Sequence, residues 1–195
     1  MSVLGFGKLF GYSWTDIDVK RNNKTKDMNL EKFTIKAQEA INNAIDSARR
    51  HGQQAIEPVH LLAGVLKSGE NVTNYIFSKL GVKPESITGS VEAEISHLPR
   101  VTGGEPYLSS EANNILLKAE DLANRNGDEF IGLETILEAI AGGTGSAAQI
   151  LKDAGVNAAS LKAAVNELRG GRKVSSKSSE DTYQSLSKYA RNLVE

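Results

Sequence analysis

The chain has 195 residues, 23 of them basic and 24 acidic, a net charge of −1 and no cysteine. That length suits one domain of about 140 residues with flanking segments, and the lack of cysteine removes disulfides, thiolate metal sites and cysteine nucleophiles. Balanced charge, with no stripe of Lys and Arg along any helix face, removes the footprint of a nucleic-acid binder, and no apolar run approaches the roughly 18 residues of a membrane span.

Residues 1–27 mix Gly, aromatics and a basic, Asn-rich run (Lys20, Arg21, Asn22, Asn23, Lys24) without helical period, and read as a disordered leader. The opening Met1-Ser-Val-Leu-Gly-Phe-Gly has neither the basic leader nor the small-residue cleavage site of a secretory signal, and Asp16, Asp18 and Asp27 are unusual in a transit peptide. Met28 reads as the functional start, with the leader an upstream extension or a cloning artefact. The domain then spans 28–170. Thr34 caps a first helix carrying Ala37, Ile41, Ala44 and Ala48 on one face and ending at Gly52. Pro58 suits the first turn of a second, with Leu61, Leu62, Val65 and Leu66 inward. A short third (Val72, Ile76, Phe77, Leu80) stops at Gly81, and Pro84 opens a fourth with Ile87, Val91, Ile95 and Leu98. Residues 99–108 read as a loop. Ser109 caps the next helix (Ala112, Leu116, Ala119, Ala123), which ends at Gly127. Further helices are expected near 133–141 and 146–154, and from Asn157 through Leu161, Val165 and Leu168. From Arg169 onward the composition turns to Gly, Lys and Ser, predicting a solvated linker over 171–195. Within it Glu180 to Glu195 is helical, and its stripe of Tyr183, Leu186, Tyr189, Ala190 and Leu193 has no partner in this chain.

The second set of four helices replays the first. A shift of 75 positions matches Ala37 to Ala112, Ala44 to Ala119, Asp46 to Asp121, Ala48 to Ala123, Arg50 to Arg125, Gly52 to Gly127, Ile56 to Ile131 and Leu62 to Leu137. After a one-residue slip, Gly81 and Val82 match Gly155 and Val156. Units near 60 residues that cannot bury their own apolar faces stack on one shared core. With no sustained period-two alternation anywhere, the expected fold is all-α: a pseudo-two-fold duplicated four-helix repeat, 33–98 and 108–169, giving about eight helices.

Little of the chain reads as chemistry. His51, His60 and His97 form no metal pair, and His60, opening a buried helix, reads as a structural imidazole bonded to nearby backbone. Gly142-Gly-Thr-Gly lacks the Lys-Ser/Thr of a P-loop and is better explained by helix termination. Ser109-Ser110 lacks a nucleophile context and reads as capping. Asp128, Glu129 and Glu134 could be a base pair, a metal site or a partner contact, against the simpler account of solvated carboxylates favoured by a helix N-terminus. No catalytic residue and no metal ligand is assigned.

The motifs Phe33-Thr-Ile-Lys-Ala-Gln-Glu-Ala, Ile56-Glu-Pro-Val-His-Leu-Leu-Ala-Gly-Val-Leu, Leu98-Pro-Arg-Val and Gly127-Asp-Glu-Phe-Ile carry a family resemblance. The duplicated unit resembles the Clp N-terminal (Clp R) repeat domain of the AAA+ unfoldase chaperones, over roughly 28–195. The stretch Leu168-Arg-Gly-Gly, Val174 and Glu180-Asp-Thr-Tyr-Gln-Ser-Leu is similar to that of the family's disaggregase branch, although the final Asn-Leu-Val-Glu departs from the more usual Asp-Leu-Thr-Glu. The resemblance implies a mobile domain tethered to a homohexameric ATP-driven ring. Such a domain engages misfolded or aggregated polypeptide in heat stress and works with the DnaK system. ATP and Mg would belong to AAA+ modules beyond Glu195, with no cofactor in this domain. It further implies partner-binding roles for Thr34, Asp128 and Glu134, and an apolar groove at Leu116 and Leu122. A further groove position falls on Thr135, which is polar. The alternative is the adaptor-docking domain of a protease-coupled Clp unfoldase; a stand-alone helical adaptor is a third reading. A monomer is expected for this chain, in the bacterial cytoplasm or an organelle, with neither nucleic acid nor membrane as partner.

Overall fold

In the computed structural model, which describes residues 29–101 and 103–183, local signals in the chain fix where each helix starts and stops. The helices are α1 (Ile35–Arg50), α2 (Pro58–Ser68), α3 (Glu70–Lys79), α4 (Pro84–His97), α5 (Ser110–Asn126), α6 (Leu133–Ala141), α7 (Ser146–Asp153) and α8 (Ala158–Arg169), with a 3₁₀ turn at Leu30–Lys32. Thr34 and Ser109 cap α1 and α5 by accepting from the amides of Ala37 and Ala112. Asn157 caps α8 in the same way, and Pro58 and Pro84 occupy first turns, where no amide partner is required. Gly127 and Gly170 end α5 and α8 in the left-handed conformation that costs glycine least.

The fold is all-α and duplicated, as the periodicity predicts. The order α1–α4 recurs in α5–α8 at the 75-residue shift. A short parallel seam joins the halves: β1 (Ala55–Ile56) pairs with β2 (Tyr107–Leu108), and Phe33 bridges Ile131. Ile56 faces Leu108 just as Ile131 faces Phe33, and the 75-residue shift turns one bridge into the other. The amide of Thr34 donates to the Ile131 carbonyl (3.0 Å), and that of Ser109 to the Ile56 carbonyl (3.1 Å). Each repeat thus starts by pairing with the other, the signature of a pseudo-two-fold axis. The segment read as a plain loop over 99–108 supplies one of these strands, too short for any alternation to show.

One continuous core draws on both halves, from Phe33 to Val165. The central helices are α2 and α6. In α6 seven of nine residues are buried, including Glu134 and Thr135, and in α2 the buried set includes His60 and Gly64. A Cβ on Gly64 would stand 2.0 Å from the Ala40 carbonyl oxygen, so glycine lets α2 approach the α1 backbone. Among the described residues no helix is long and apolar enough to cross a membrane.

The chain after α8 departs from the expectation of a solvated linker. Val174, Ser179, Glu180 and Tyr183 are buried, and residues 179–183 are helical. Composition misleads here because four inward residues, spaced irregularly in a Ser- and Lys-rich run, suffice to dock a segment whose remaining side chains stay in water. Tyr183, expected to lack a partner, packs on this domain; Leu186 to Leu193 and the leader 1–27 lie outside the described residues.

Candidate functional site

Both helix starts near the Phe33–Ile131 bridge face the segment 174–183. The first amide of α1, Ile35, donates to the Lys177 carbonyl (2.8 Å), and the amides of Glu129 and Phe130 donate to the Val174 carbonyl (2.9 and 3.2 Å). The first amide of α6, Leu133, donates to Glu180 Oε1 (3.0 Å), and the Thr34 hydroxyl donates to the same oxygen (2.5 Å). The Ile35 and Leu133 amides are orphan donors of the kind every helix leaves at its start, whereas Glu129 and Phe130 lie in the connection between α5 and α6. Here the Lys177 carbonyl and the Glu180 carboxylate satisfy the helix starts, and the Val174 carbonyl ties down the connection.

Beside this contact lies a buried ionic knot. The Arg169 guanidinium donates through Nε to Glu134 Oε1 (3.0 Å), through Nη1 to Asp128 Oδ2 (2.8 Å) and through Nη2 to Thr135 Oγ1 (3.0 Å). The second Asp128 oxygen accepts the Val174 amide (2.9 Å). Two acids, Asp128 and Glu134, therefore share one guanidinium, while Glu180 is close enough to Glu134 to feel its charge and has no bond to Arg169. Glu134 Oε2, Glu180 Oε2 and the Tyr183 hydroxyl have no partner among the described residues. Burial raises the Glu134 pKa, against the pull of Arg169. Glu180 is pushed up to about 7, first by burial and then by the Glu134 charge, against the hydrogen bonds from Thr34 and Leu133. Burial raises Tyr183 as well.

Thr34, Asp128 and Glu134, singled out by resemblance, thus come together in one place, but as buried groups: Thr34 and Glu134 are 0% exposed and the Asp128 side chain is closed off. Asp128 and Glu134 grip Arg169, and no group of three or more potential ligands able to hold a metal ion is found among the described residues. Thr135, the polar position in the expected groove, serves the same knot. Sequence reasoning missed Arg169, at the end of α8, and the neighbouring Glu180 and Tyr183, in the apparent linker. One signal for Arg169 existed, because a 74-residue shift sets it against the inward-facing Ile95.

The apolar positions separate. Leu116 is 1% exposed and belongs to the core, whereas Leu122 is half-buried and Leu117, next to Leu116 in the chain, is 38% exposed. On the other repeat, a cleft of about 680 Å³ opens between α1, α2, α3 and α4, lined among others by Asn43, Ser47, Leu66, Thr88 and Val91. His60 is the structural imidazole expected. Its Nδ1 accepts the Glu57 amide (3.0 Å), so Nε2 carries the proton and donates to Gln53 Oε1 (2.8 Å). Burial, helped by His51, lowers its pKa to about 4.

Residues 32–144 match the model of the Clp repeat (R) N-terminal domain family. The chaperone protein ClpB of Bacteroides thetaiotaomicron is 53% identical over 168 residues, and that of Porphyromonas gingivalis 48% identical over the same length. Each alignment covers 86% of this chain and 20% of the relative, so the chain spans about a fifth of the length of these relatives. Among solved structures, the Hsp104 N-terminal domain of Candida albicans superimposes with a TM-score of 0.70 at 23% identity, covering 76% of this chain and 99% of that one, which establishes a shared fold. The duplicated helices, the seam between them and these matches together place the chain in the Clp repeat N-terminal domain family, alongside the ClpB chaperones.

Proposed function

We propose that the chain is the client-engaging N-terminal domain of a ClpB-type disaggregase, a mobile module of a homohexameric ATP-driven ring that acts with the DnaK system on misfolded or aggregated protein under heat stress. The observation that carries this reading is the 53% identity to a ClpB chaperone over 168 residues, 86% of this chain. ATP and Mg are assigned to AAA+ modules outside these residues, and the isolated domain to a monomer of the bacterial cytoplasm. Two ClpB proteins at 53% and 48% identity favour this reading over the protease-coupled alternative.

The apolar contact falls on α5, where Leu117 and Leu122 reach the surface and Leu116 supports them from below. A patch hiding about 300 Å² of apolar surface would yield roughly 7–8 kcal/mol, from which lost translation and rotation remove at least about 4 kcal/mol. Affinity then lies near millimolar, and several domains on one ring raise avidity through effective concentration. Weak holding suits a client that must be released for threading.

The test is an NMR titration of the 195-residue chain with a reduced, carboxymethylated lactalbumin. Fast-exchange shifts at the methyls of Leu117 and Leu122, absent from α3, are expected. Unchanged α5 methyls at millimolar polypeptide would overturn the reading, and tight binding of a folded adaptor with no response to the unfolded chain would favour the protease-coupled alternative.

A further inference from the structure

The segment 174–183 is held by a few directed bonds and little apolar area. Val174 and Tyr183 are its buried apolar anchors, and Ser175, Ser176, Ser178, Asp181 and Thr182 remain exposed. What fixes it is the set of bonds to Ile35, Glu129, Phe130, Leu133, Thr34 and Asp128. The three unpartnered buried polar atoms among the described residues all lie where it meets α6. Two of those atoms belong to carboxylates that repel one another when both are ionised. Every other buried side-chain polar atom among the described residues has a partner, so the desolvation cost left uncompensated is concentrated at this contact and weakens it relative to the rest of the core.

We propose that residues 174–183 form a releasable clasp, pinned by the Glu180 carboxyl group to Thr34 and to the first turn of α6, and that Thr34, Asp128 and Glu134 are positioning residues for this clasp. The clasp is a property of the chain itself and does not depend on what the domain binds. Closed, it seals the knot; open, it exposes the starts of α1 and α6 and frees ten residues, about 35 Å of extended chain.

The charged and titratable groups around Glu180 come from every element that packs there. Lys36 projects from α1, Glu134 from α6, Arg169 from the end of α8, and Asp128 from the turn after α5, while Asp181 and Tyr183 share the clasp's own helical turn. Arg169 is engaged by Asp128 and Glu134, so a proton on Glu180 relieves the cost of its burial and its repulsion from Glu134. Because the docked carboxyl binds its proton more tightly than the free one, docking is at full strength below the ordinary carboxylate range. It weakens as pH rises through about 7, when the proton leaves to bulk water.

The experiment is amide hydrogen exchange by NMR on the 195-residue chain from pH 5 to pH 8, corrected for the intrinsic rates. Protection at Ile35, Glu129, Phe130 and Leu133 is expected to fall by up to about two orders of magnitude, with α2 amides unchanged. E180Q, neutral at every pH and still able to accept from Thr34 and Leu133, is expected to hold those four amides protected throughout. E180A is expected to lose their protection at every pH while keeping that of α2. Protection independent of pH in the native chain, or E180Q matching E180A, would overturn the proposal. Should E180A fail to fold, the pH profile of E180Q against the native chain still decides.

Discussion

The two repeats solve one packing problem with different chemistry. In each, the turn after the first helix and the buried second helix must be tied to the end of the fourth. The first repeat uses neutral groups: Gln53 donates to the carbonyls of Ile95 (2.6 Å) and Leu98 (3.3 Å), and its own oxygen accepts from His60. The 75-residue shift turns Gln53 into Asp128 and His60 into Thr135, and at 74 Ile95 becomes Arg169. The second repeat therefore makes the same tie with ions. The contrast extends to the helix start, where Pro58 has no amide to satisfy, while its counterpart Leu133 has one and needs the Glu180 carboxylate. A neutral tie closes on itself, whereas the ionic one leaves charge over and recruits a segment from outside the duplication.

The largest expected effect comes from removing the one cation of that tie. R169M leaves Asp128 and Glu134 buried without compensation, and should cost about 3–5 kcal/mol by denaturant unfolding, or roughly 10 °C in Tm for a domain this size. Copying the first repeat's solution into the second, with D128Q, E134V, T135H and R169I together, should cost clearly less than R169M alone. If the fourfold variant proves worse, the two ties are not interchangeable and the comparison fails.

Next in size is an opposition in pH dependence. His60 is held neutral, with its folded pKa near 4 below the ordinary value of 6.5. Its contribution is therefore present above 6.5 and is lost as pH falls through 4, a loss on the order of 3 kcal/mol if the shift is fully expressed. Glu180 runs the other way, strengthening its contact as pH falls from 7. Urea unfolding between pH 7 and 4.5, set against H60N and E180Q, should show a flattened acid-side loss in the first variant. In the second, the opposing gain should vanish.

How much of this was legible follows from the same contrast. Caps and stops such as Thr34, Pro58, Ser109 and Gly127 act locally, so reading along the chain finds them, and the spacing of Ala37, Ile41 and Ala44 names its own inward face. Leu116 aligns with Ile41 across the duplication and could have been assigned to the core on that ground, although resemblance assigned it to a groove. Arg169 resists local reading, because a basic residue in a last helical turn normally points to water and favours the dipole. Its burial depends on acids 35 and 41 residues away. Val174, Glu180 and Tyr183 resist for a related reason. Their inward positions have no helical period until the segment has docked, and docking depends on helix starts far back in the chain.

A smaller effect separates the repeats at Gly64. Its counterpart at the 75-residue shift is Ala139, which is fully buried in α6, so the second repeat tolerates a Cβ where the first leaves none. G64A should cost about 1–3 kcal/mol through overpacking against the Ala40 carbonyl, despite alanine's better helix propensity. A neutral or stabilising result would mean that α1 and α2 stand further apart than this geometry requires.

The finest distinction lies between the twin caps. Thr34 and Ser109 accept the same kind of amide bond, at 3.2 and 3.1 Å. Ser109 lies partly in water, so S109A should cost about 1 kcal/mol, the ordinary value of a lost N-cap. T34A removes the same cap, and with it the hydroxyl that donates to Glu180, so it should cost more and should also expose Ile35 and Leu133 to exchange. T34S restores both bonds and should recover both readouts. Equal losses in T34A and S109A, with Leu133 still protected, would show that the hydroxyl serves only its own helix. The asymmetry between the repeats would then end at Arg169.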